Sequence, residues 1–146
     1  MDMIRVKKLR SNAKLPSYGS AEAAGADLYA CIDEPVVIHP GENAWITTGI
    51  ALEVPRGCAG LIYARSSLAS KRGLAPANKV GVVDSDYRGE ITVVLYNQSQ
   101  KDQIVEPGER IAQFIITPVL TPGYEFADFL SDTIRGEGGF GSTGKK

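Results

Sequence analysis

Residues 81–91, GVVDSDYRGEI, place groups that can do chemistry directly after an apolar run. Two valines lead into Asp84, Asp86 and Tyr87, and an Arg-Gly pair precedes the next apolar run. A carboxylate in a hairpin can remove a proton from water, and a phenol ring can pack against a ligand. Asp, Ser and Gly also build ordinary solvated turns, so the stretch alone leaves both interpretations open. Strand alternation places both carboxylates on one side and does not choose between them.

The last sixteen residues, SDTIRGEGGFGSTGKK, carry a second set of functional groups. Arg135, Phe140, Ser142 and Thr143 offer a charge, a stacking surface and two hydroxyls. A segment so rich in glycine buries too little apolar surface to fold by itself. Extended at about 3.3 Å per residue, it spans roughly 50 Å. We therefore predict a β domain over residues 1–130 and a flexible arm over 131–146 that closes over a neighbouring subunit's site.

Composition bounds the kinds of partner. The chain has 146 residues and 43% hydrophobic content, which suits one domain with one core. A formal net charge of −1 is too small for the broad basic field that binds nucleic acid. Cys31, Cys58 and the single His39 are too few and too scattered for a zinc or iron–sulfur site. The N-terminus lacks a signal-peptide pattern, and no stretch is apolar enough to span a membrane. We expect reduced cysteines, a location in the cytoplasm or another reducing intracellular compartment, and no nucleic-acid or membrane partner.

The elements that must position these groups are short strands. Runs such as VVIHP, AGLIYA and EITVVLYN are rich in Val, Ile, Thr and Tyr and are separated by Pro-Gly and Arg-Gly turns. This spacing of short strands is typical of an all-β sandwich or barrel. One stretch, Ser66 to Gly73, reads as a short helix that ends at the glycine.

Five short motifs extend over nearly the whole chain. They are AGADLYA (24–30), ARSSLASK (64–71), GVVDSDYRGEI (81–91), GERIAQFII (108–116) and RGEGGFGSTG (135–144). Taken in order, they resemble the trimeric deoxyuridine triphosphatase (dUTPase) family, and five in this order are far more specific than any one of them. The second motif has Ala64 and Ser67 where the family more often has Pro and Gly.

The resemblance implies a jelly-roll-like β fold, a homotrimer, and Mg²⁺-assisted hydrolysis of dUTP to dUMP and pyrophosphate. This reaction would keep uracil out of DNA and supply dUMP for dTMP synthesis. By the same resemblance, Asp84 activates the water that attacks the α-phosphorus, and Asp86 has a structural role in the hairpin. The resemblance also implies that Tyr87 would lie under the deoxyribose, where it would leave no room for a 2′-hydroxyl. It implies that Asp27 would lie near the metal and contact it through water, although a turn-capping role is equally open.

The resemblance also implies a set of substrate-binding residues. Asn78 and the hairpin backbone would pair with uracil, while the arm would close over the nucleotide. The implied residues are Arg65, Ser66, Ser67, Asn78, Gly81, Val83, Tyr87, Gln113, Arg135, Phe140, Gly141, Ser142 and Thr143.

Two other functions share the expected fold class. One is a related deoxycytidine triphosphate deaminase, which the Asp-x-Asp-Tyr hairpin and the complete final arm argue against. The other is a regulatory binding protein that uses the fold without catalysis, which the intact Asp84 argues against.

Overall fold

The structure, a computed structural model, describes residues 3–141 as short β-strands with one short helix. The helix covers Leu68–Arg72. The strands are β1 (Val6–Lys8), β2 (Ser17–Tyr18), β3 (Ala26–Tyr29), β4 (Val36–Ile38), β5 (Asn43–Thr47), β6 (Ile50–Leu52), β7 (Cys58–Tyr63), β8 (Leu74–Pro76), β9 (Gly81–Val83), β10 (Thr92–Asn97), β11 (Gln103–Val105) and β12 (Arg110–Pro118).

The largest sheet holds five antiparallel strands in the order β2-β3-β12-β7-β9. A second sheet has the order β5-β10-β8, and two further pairs join β1 to β6 and β4 to β11. The last strand lies between β3 and β7, so the chain returns to the middle of a sheet that its early strands began. The predicted all-β, jelly-roll-like fold is confirmed.

Alternation along the strands separates a buried face from an open one. In the five-stranded sheet Leu28, Ile62 and Phe114 point inward and are at most 6% exposed. They join the residues of the second sheet, including Ile46 and Leu95, in one apolar cluster. Burying a side chain of this size contributes about 1.5–3 kcal/mol, so the cluster fixes the strand register.

The short helix lies within the predicted stretch Ser66–Gly73 and is of the π type. It ends at Gly73, which adopts a left-handed φ of 66° and packs against Ser99, where a side chain would collide with the backbone. Arg72 at its end contacts Glu109 and the carbonyl of Ile104, so the helix is tied to the turn that leads into β12.

Regular structure ends at Pro118, and residues 119–141 form neither strand nor helix. We call these residues the C-terminal segment. Its apolar side chains are among the most exposed in the described part of the chain, with Leu120, Tyr124 and Ile134 all at least 95% exposed. The predicted division at residue 130 and the predicted closure of the arm remain predictions.

Candidate active site

A cavity of about 310 Å³ opens beside β9, at the edge of the five-stranded sheet. We call it the hairpin pocket. Its walls come from β5, β7, β9, β10 and the loops that flank β9. The lining residues are Trp45, Ile62, Asn78, Gly81, Val82, Val83, Asp84, Tyr87, Glu90, Ile91 and Thr92. Five of the predicted site residues, at positions 78, 81, 83, 84 and 87, therefore share one pocket.

The two carboxylates of the hairpin differ in position. β9 ends at Val83, so Asp84 is the first residue of the turn, and its carbonyl accepts a 3.2 Å hydrogen bond from the Tyr87 amide. Both carboxylates are exposed, but Asp84 lines the pocket and Asp86 is not among the residues that line it. The structure thus distinguishes two residues that strand alternation alone could not.

Tyr87 is held across the hairpin rather than free at its tip. Its hydroxyl donates to the carbonyl of Glu90 at 3.0 Å, and its side chain remains 45% exposed. The ring lies against Gly89, where an added Cβ would come within 2.4 Å of the tyrosine oxygen. Gly89 is therefore required for the ring position, because real Cβ atoms do not approach another atom so closely.

Sequence reasoning missed other members of the pocket, notably Trp45 and Glu90. Trp45 is 76% exposed and alternates with the buried Ile46 on β5. Glu90 accepts a 2.8 Å hydrogen bond from the Gly49 amide, which ties the hairpin to the start of β6. The pairing that brings Trp45 to the pocket is long-range and has no local signal.

A second group of predicted residues lies on the open face of the same sheet. Asp27 on β3 is 9% exposed and accepts a 2.8 Å hydrogen bond from Arg65 Nε through Oδ1. Its Oδ2 accepts from Arg110 at 3.2 Å. Arg65 also donates to the carbonyl of Arg110 at 3.3 Å. Arg110, which sequence reasoning did not select, is thus a member of this group.

Gln113 completes the group, which we call the arginine cluster: Asp27, Arg65, Arg110 and Gln113. Gln113 is in register with Asp27 on one side and with Tyr63 on the other. Its Nε2 donates to the carbonyl of Ala64 at 2.8 Å. Ser66 and Ser67 follow Arg65 in the chain and are exposed. The cluster carries two positive charges and one negative charge, so it suits an anionic ligand.

Mg²⁺ fits this arrangement only as an ion that enters with a ligand. Within residues 3–141 no group of three or more acidic, His or Cys side chains could hold a metal ion. Mg²⁺ keeps several waters and binds chiefly through phosphates, which agrees with the lack of a cage in that range. Each carboxylate oxygen of Asp27 accepts one arginine bond and retains a lone pair that a water could use.

The pocket and the cluster lie at different places on the sheet. Asp27 pairs through Gln113 with Tyr63, whereas Asp84 follows Val83, which pairs with Gly60. With strands about 4.8 Å apart and a rise of about 3.3 Å per residue, Asp27 and Asp84 are roughly 20 Å apart. One chain therefore carries the two groups of predicted residues at separate places on the sheet.

The remaining predicted residues lie on the C-terminal segment or beyond it. Arg135 Nε donates to the carbonyl of Gly138 at 2.7 Å, within the segment itself. Phe140 and Gly141 both have a positive φ and are exposed. Ser142 and Thr143 lie outside the described residues. The structure brings none of the described members of this group to the hairpin pocket.

Three comparisons with known proteins agree with one another. The dUTPase family profile matches residues 11–144. The chain is 52% identical over 141 residues to a deoxyuridine 5'-triphosphate nucleotidohydrolase of Hydrogenobaculum sp., covering 97% of each chain. It is 48% identical to that of Syntrophotalea carbinolica, covering 97% of this chain and 96% of the relative. The dUTPase of Staphylococcus bacteriophage 80alpha, solved with dUPNHPP, superposes with a TM-score of 0.84 at 30% identity, covering 99% of each chain.

Fold, site and comparisons together define an all-β nucleotide hydrolase. The chain belongs to the dUTPase family, as its five motifs predict. The prediction that it is an enzyme of the dUTP nucleotidohydrolase class is confirmed.

Two composition-based predictions can be compared with the described residues. Cys31 and Cys58 are both free, as expected. Over residues 3–141, no helix is long and apolar enough to cross a membrane.

Proposed function

We propose that this chain hydrolyses dUTP to dUMP and pyrophosphate, with Asp84 as the general base. The observation that carries the proposal is the position of Asp84 at the wall of the hairpin pocket, beside Tyr87 and Asn78. A nucleoside bound in that pocket would present its α-phosphorus near the carboxylate.

Asp84 acts on a water molecule. The carboxylate accepts a proton as the water oxygen forms a bond to the α-phosphorus. The bond from that phosphorus to the oxygen bridging to the β-phosphorus breaks, and pyrophosphate leaves with the electron pair. A positioned base of this kind contributes about 10²–10⁴-fold to the rate.

The arginine cluster neutralises the phosphate chain. Arg65 and Gln113 carry donors on the open face of the sheet, and the exposed Ser66 adds a hydroxyl. When bound, Mg²⁺ supplies charge neutralisation on the phosphate oxygens of the substrate. Asp27 would hold the ion through a water, with its carboxylate already oriented by the two arginines.

Base and sugar selection comes from the hairpin. Gly81 keeps the space beside Ile62 and Asn78 free of a side chain, because an added Cβ would lie 3.2 Å from Ile62 and 3.5 Å from Asn78 Nδ2. Backbone and amide groups that match uracil would be left unpaired by cytosine, which is strongly rejected for that reason. The ring of Tyr87 excludes a 2′-hydroxyl and so selects deoxyribose.

We propose that the active form is a homotrimer in which each site joins the hairpin pocket of one chain to the arginine cluster of another. We call the pocket and the cluster the two half-sites. The open face between the two half-sites supports this, because a row of apolar side chains crosses it. Ile115 pairs with Leu61, and Leu61 pairs with Val82, which is 64% exposed. Such a row suits burial against another copy better than contact with a polyphosphate.

The C-terminal segment supplies the closure in this proposal. Its exposed apolar residues, such as Phe126 and Leu130, suit burial against a neighbouring chain. Arg135 and Phe140, together with Gly141, Ser142 and Thr143, would then close over the nucleotide. Closure would exclude water and fix the phosphate chain.

A pyrophosphate-release assay tests the reaction. We expect release from dUTP with Mg²⁺, little release after chelation with EDTA, and little release from dATP, dCTP, dGTP, dTTP or UTP. Chromatography of the dCTP reaction separates the deaminase alternative, because that activity would yield a uracil nucleotide without pyrophosphate. A chain that binds dUTP without turnover would contradict the proposal and favour a binding protein.

A further inference from the structure

The first motif contributes two residues whose contacts lie within the protein rather than in the hairpin pocket. They are Asp27, which belongs to the arginine cluster, and Gly25, where an added Cβ would collide with Gln113 of that cluster. We propose that they are positioning residues, which hold the phosphate-binding groups of Arg65 and Arg110 in one fixed arrangement. This inference rests on the proposed function, because it assigns a task to the same site.

Asp27 solves an electrostatic problem. Two guanidinium groups repel each other, yet the structure holds Arg65 and Arg110 on opposite oxygens of one carboxylate, at 2.8 and 3.2 Å. Because Asp27 is 9% exposed, water screens this interaction only weakly. The carboxylate therefore offsets the repulsion between the two cations and leaves the cluster with one net positive charge.

The contacts leave donors available for a ligand. A guanidinium has five N–H groups, and Arg65 uses one on Asp27 and one on the carbonyl of Arg110. The Arg110 side chain is half exposed and uses one donor on Asp27. The remaining donors of both arginines are available to phosphate oxygens, which the planar guanidinium group binds well.

Gly25 acts on the loop that carries Arg65. A Cβ at this position would lie 2.7 Å from Gln113 Oε1 and 3.1 Å from Gln113 Cβ. Gln113 in turn holds the carbonyl of Ala64, the residue before Arg65. A side chain at Gly25 would displace the glutamine and release this loop. Gly25 of the first motif thus positions the Arg65 loop of the second motif through Gln113 of the fourth.

The test is binding without metal. Affinities of Asp27→Asn for dUpNHpp and for deoxyuridine are measured by calorimetry in EDTA. We expect about a tenfold weaker dUpNHpp complex, the size typical of coupled charged neighbours. Deoxyuridine binding should change less than twofold, because the nucleoside does not reach the cluster. An unchanged dUpNHpp affinity in EDTA, with only the Mg²⁺ requirement raised, would overturn the inference and leave Asp27 a metal contact alone.

Two further variants guard against a purely structural loss. Gly25→Ala should weaken dUpNHpp and spare deoxyuridine, whereas Gly19→Ala, at a position with nothing within 4 Å, should change neither. Combining Asp27→Asn with Arg110→Gln should cost less than the sum of the single changes, since both break one contact. Equal losses for nucleoside and analogue, or strict additivity, would overturn the inference.

The outcome is separable from that of the proposed function. If the unaltered protein fails to hydrolyse dUTP but shows this metal-free dependence on Asp27, the reaction is wrong and the positioning role stands. If it hydrolyses dUTP and Asp27→Asn binds dUpNHpp normally in EDTA, the positioning role alone is wrong.

Discussion

The hairpin pocket and the arginine cluster lie on one sheet and are built in opposite ways. The cluster joins β3, β12 and the loop after β7 through short contacts at Asp27 and Gln113. The pocket lies at an edge strand, and its rim residues Trp45 and Val82 are 76% and 64% exposed. In one region the charged groups have partners within the chain, and the other region presents apolar surface to solvent.

This difference teaches which part of the site one chain completes. Charged groups need fixed partners before a ligand arrives, because an unpaired buried charge is costly. An apolar rim can instead be completed by a neighbouring chain, which gains stability by covering it. In the proposed trimer, the cluster would be pre-formed in each chain and the pocket would be completed by assembly.

The largest expected effect separates the two carboxylates of the hairpin. Asp84→Asn should lower kcat by about 10²–10⁴-fold, because the base is lost while shape and hydrogen bonding are kept. Asp86→Asn is the matched control and should remain near the unaltered rate. Steady-state kinetics with dUTP, together with dUpNHpp binding, measure both. Near-normal turnover by Asp84→Asn, with loss in Asp86→Asn, would reverse the assignment.

Removing the chain after Ile134 should abolish most activity without loosening the fold. The deleted part carries Arg135 and Phe140, and its described residues are exposed or partly exposed. Thermal melts should match those of the full chain without nucleotide, while turnover collapses because closure is lost. A large drop in melting temperature would instead assign this part a structural role.

Mixing this truncation with Asp84→Asn tests whether the arm acts on a neighbour. After subunit exchange, some sites would combine an intact Asp84 with an intact arm from another chain, and activity should partly return. Absence of recovery despite proven exchange would mean that the arm folds over its own subunit or does not close at all.

A smaller effect is expected at Gly89, which affects the pocket and leaves the cluster intact. Gly89→Ala should displace Tyr87, because the new Cβ would lie 2.4 Å from its oxygen. Discrimination of dUTP over UTP in kcat/KM should fall roughly tenfold, since a ring displaced by an ångström no longer blocks the 2′ position. Gly19→Ala serves as the control. Unchanged discrimination would remove Tyr87 from sugar selection.

The smallest effect lies outside both regions. The hydrogen bond and charge of Asp102 raise the pKa of His39 above its ordinary value of 6.5. Because protonation is favoured in the folded state, the pair stabilises the fold below pH 6.5 and loses this contribution as pH rises through the raised pKa. The melting temperature of His39→Gln should fall below that of the unaltered protein at low pH. The two melting temperatures should converge above the raised pKa of His39. A difference that grows with pH would contradict this sign.

Much of the fold could be predicted from local pattern, and part of the site could not. Period-two runs and Pro-Gly turns indicate short strands, and Gly41, Gly57 and Gly108 all adopt the positive φ that such turns use. The helix before Gly73 also follows from a local signal. Arg110 was missed because its partner Asp27 is 83 residues away, and contacts at that separation leave no trace in local spacing.

The exposure of the C-terminal segment shows the same limit. Composition changes at Ser131, where apolar residues become scarce, whereas the last strand ends at Pro118. Between these points Leu120, Tyr124 and Phe126 read as core residues, yet each is at least 95% exposed. The sequence shows that a side chain is apolar but not whether that side chain is covered.

Complementation between the two half-sites tests the central claim most directly. Asp84→Asn and Arg65→Gln are each purified, shown to be inactive, mixed in equal amounts and allowed to exchange subunits. If Asp84 and Arg65 of one site come from different chains, random mixing restores about one quarter of the sites. Activity near that fraction of the unaltered enzyme is the predicted result. No recovery, with exchange demonstrated by mass spectrometry, would show that both residues of each site belong to one chain.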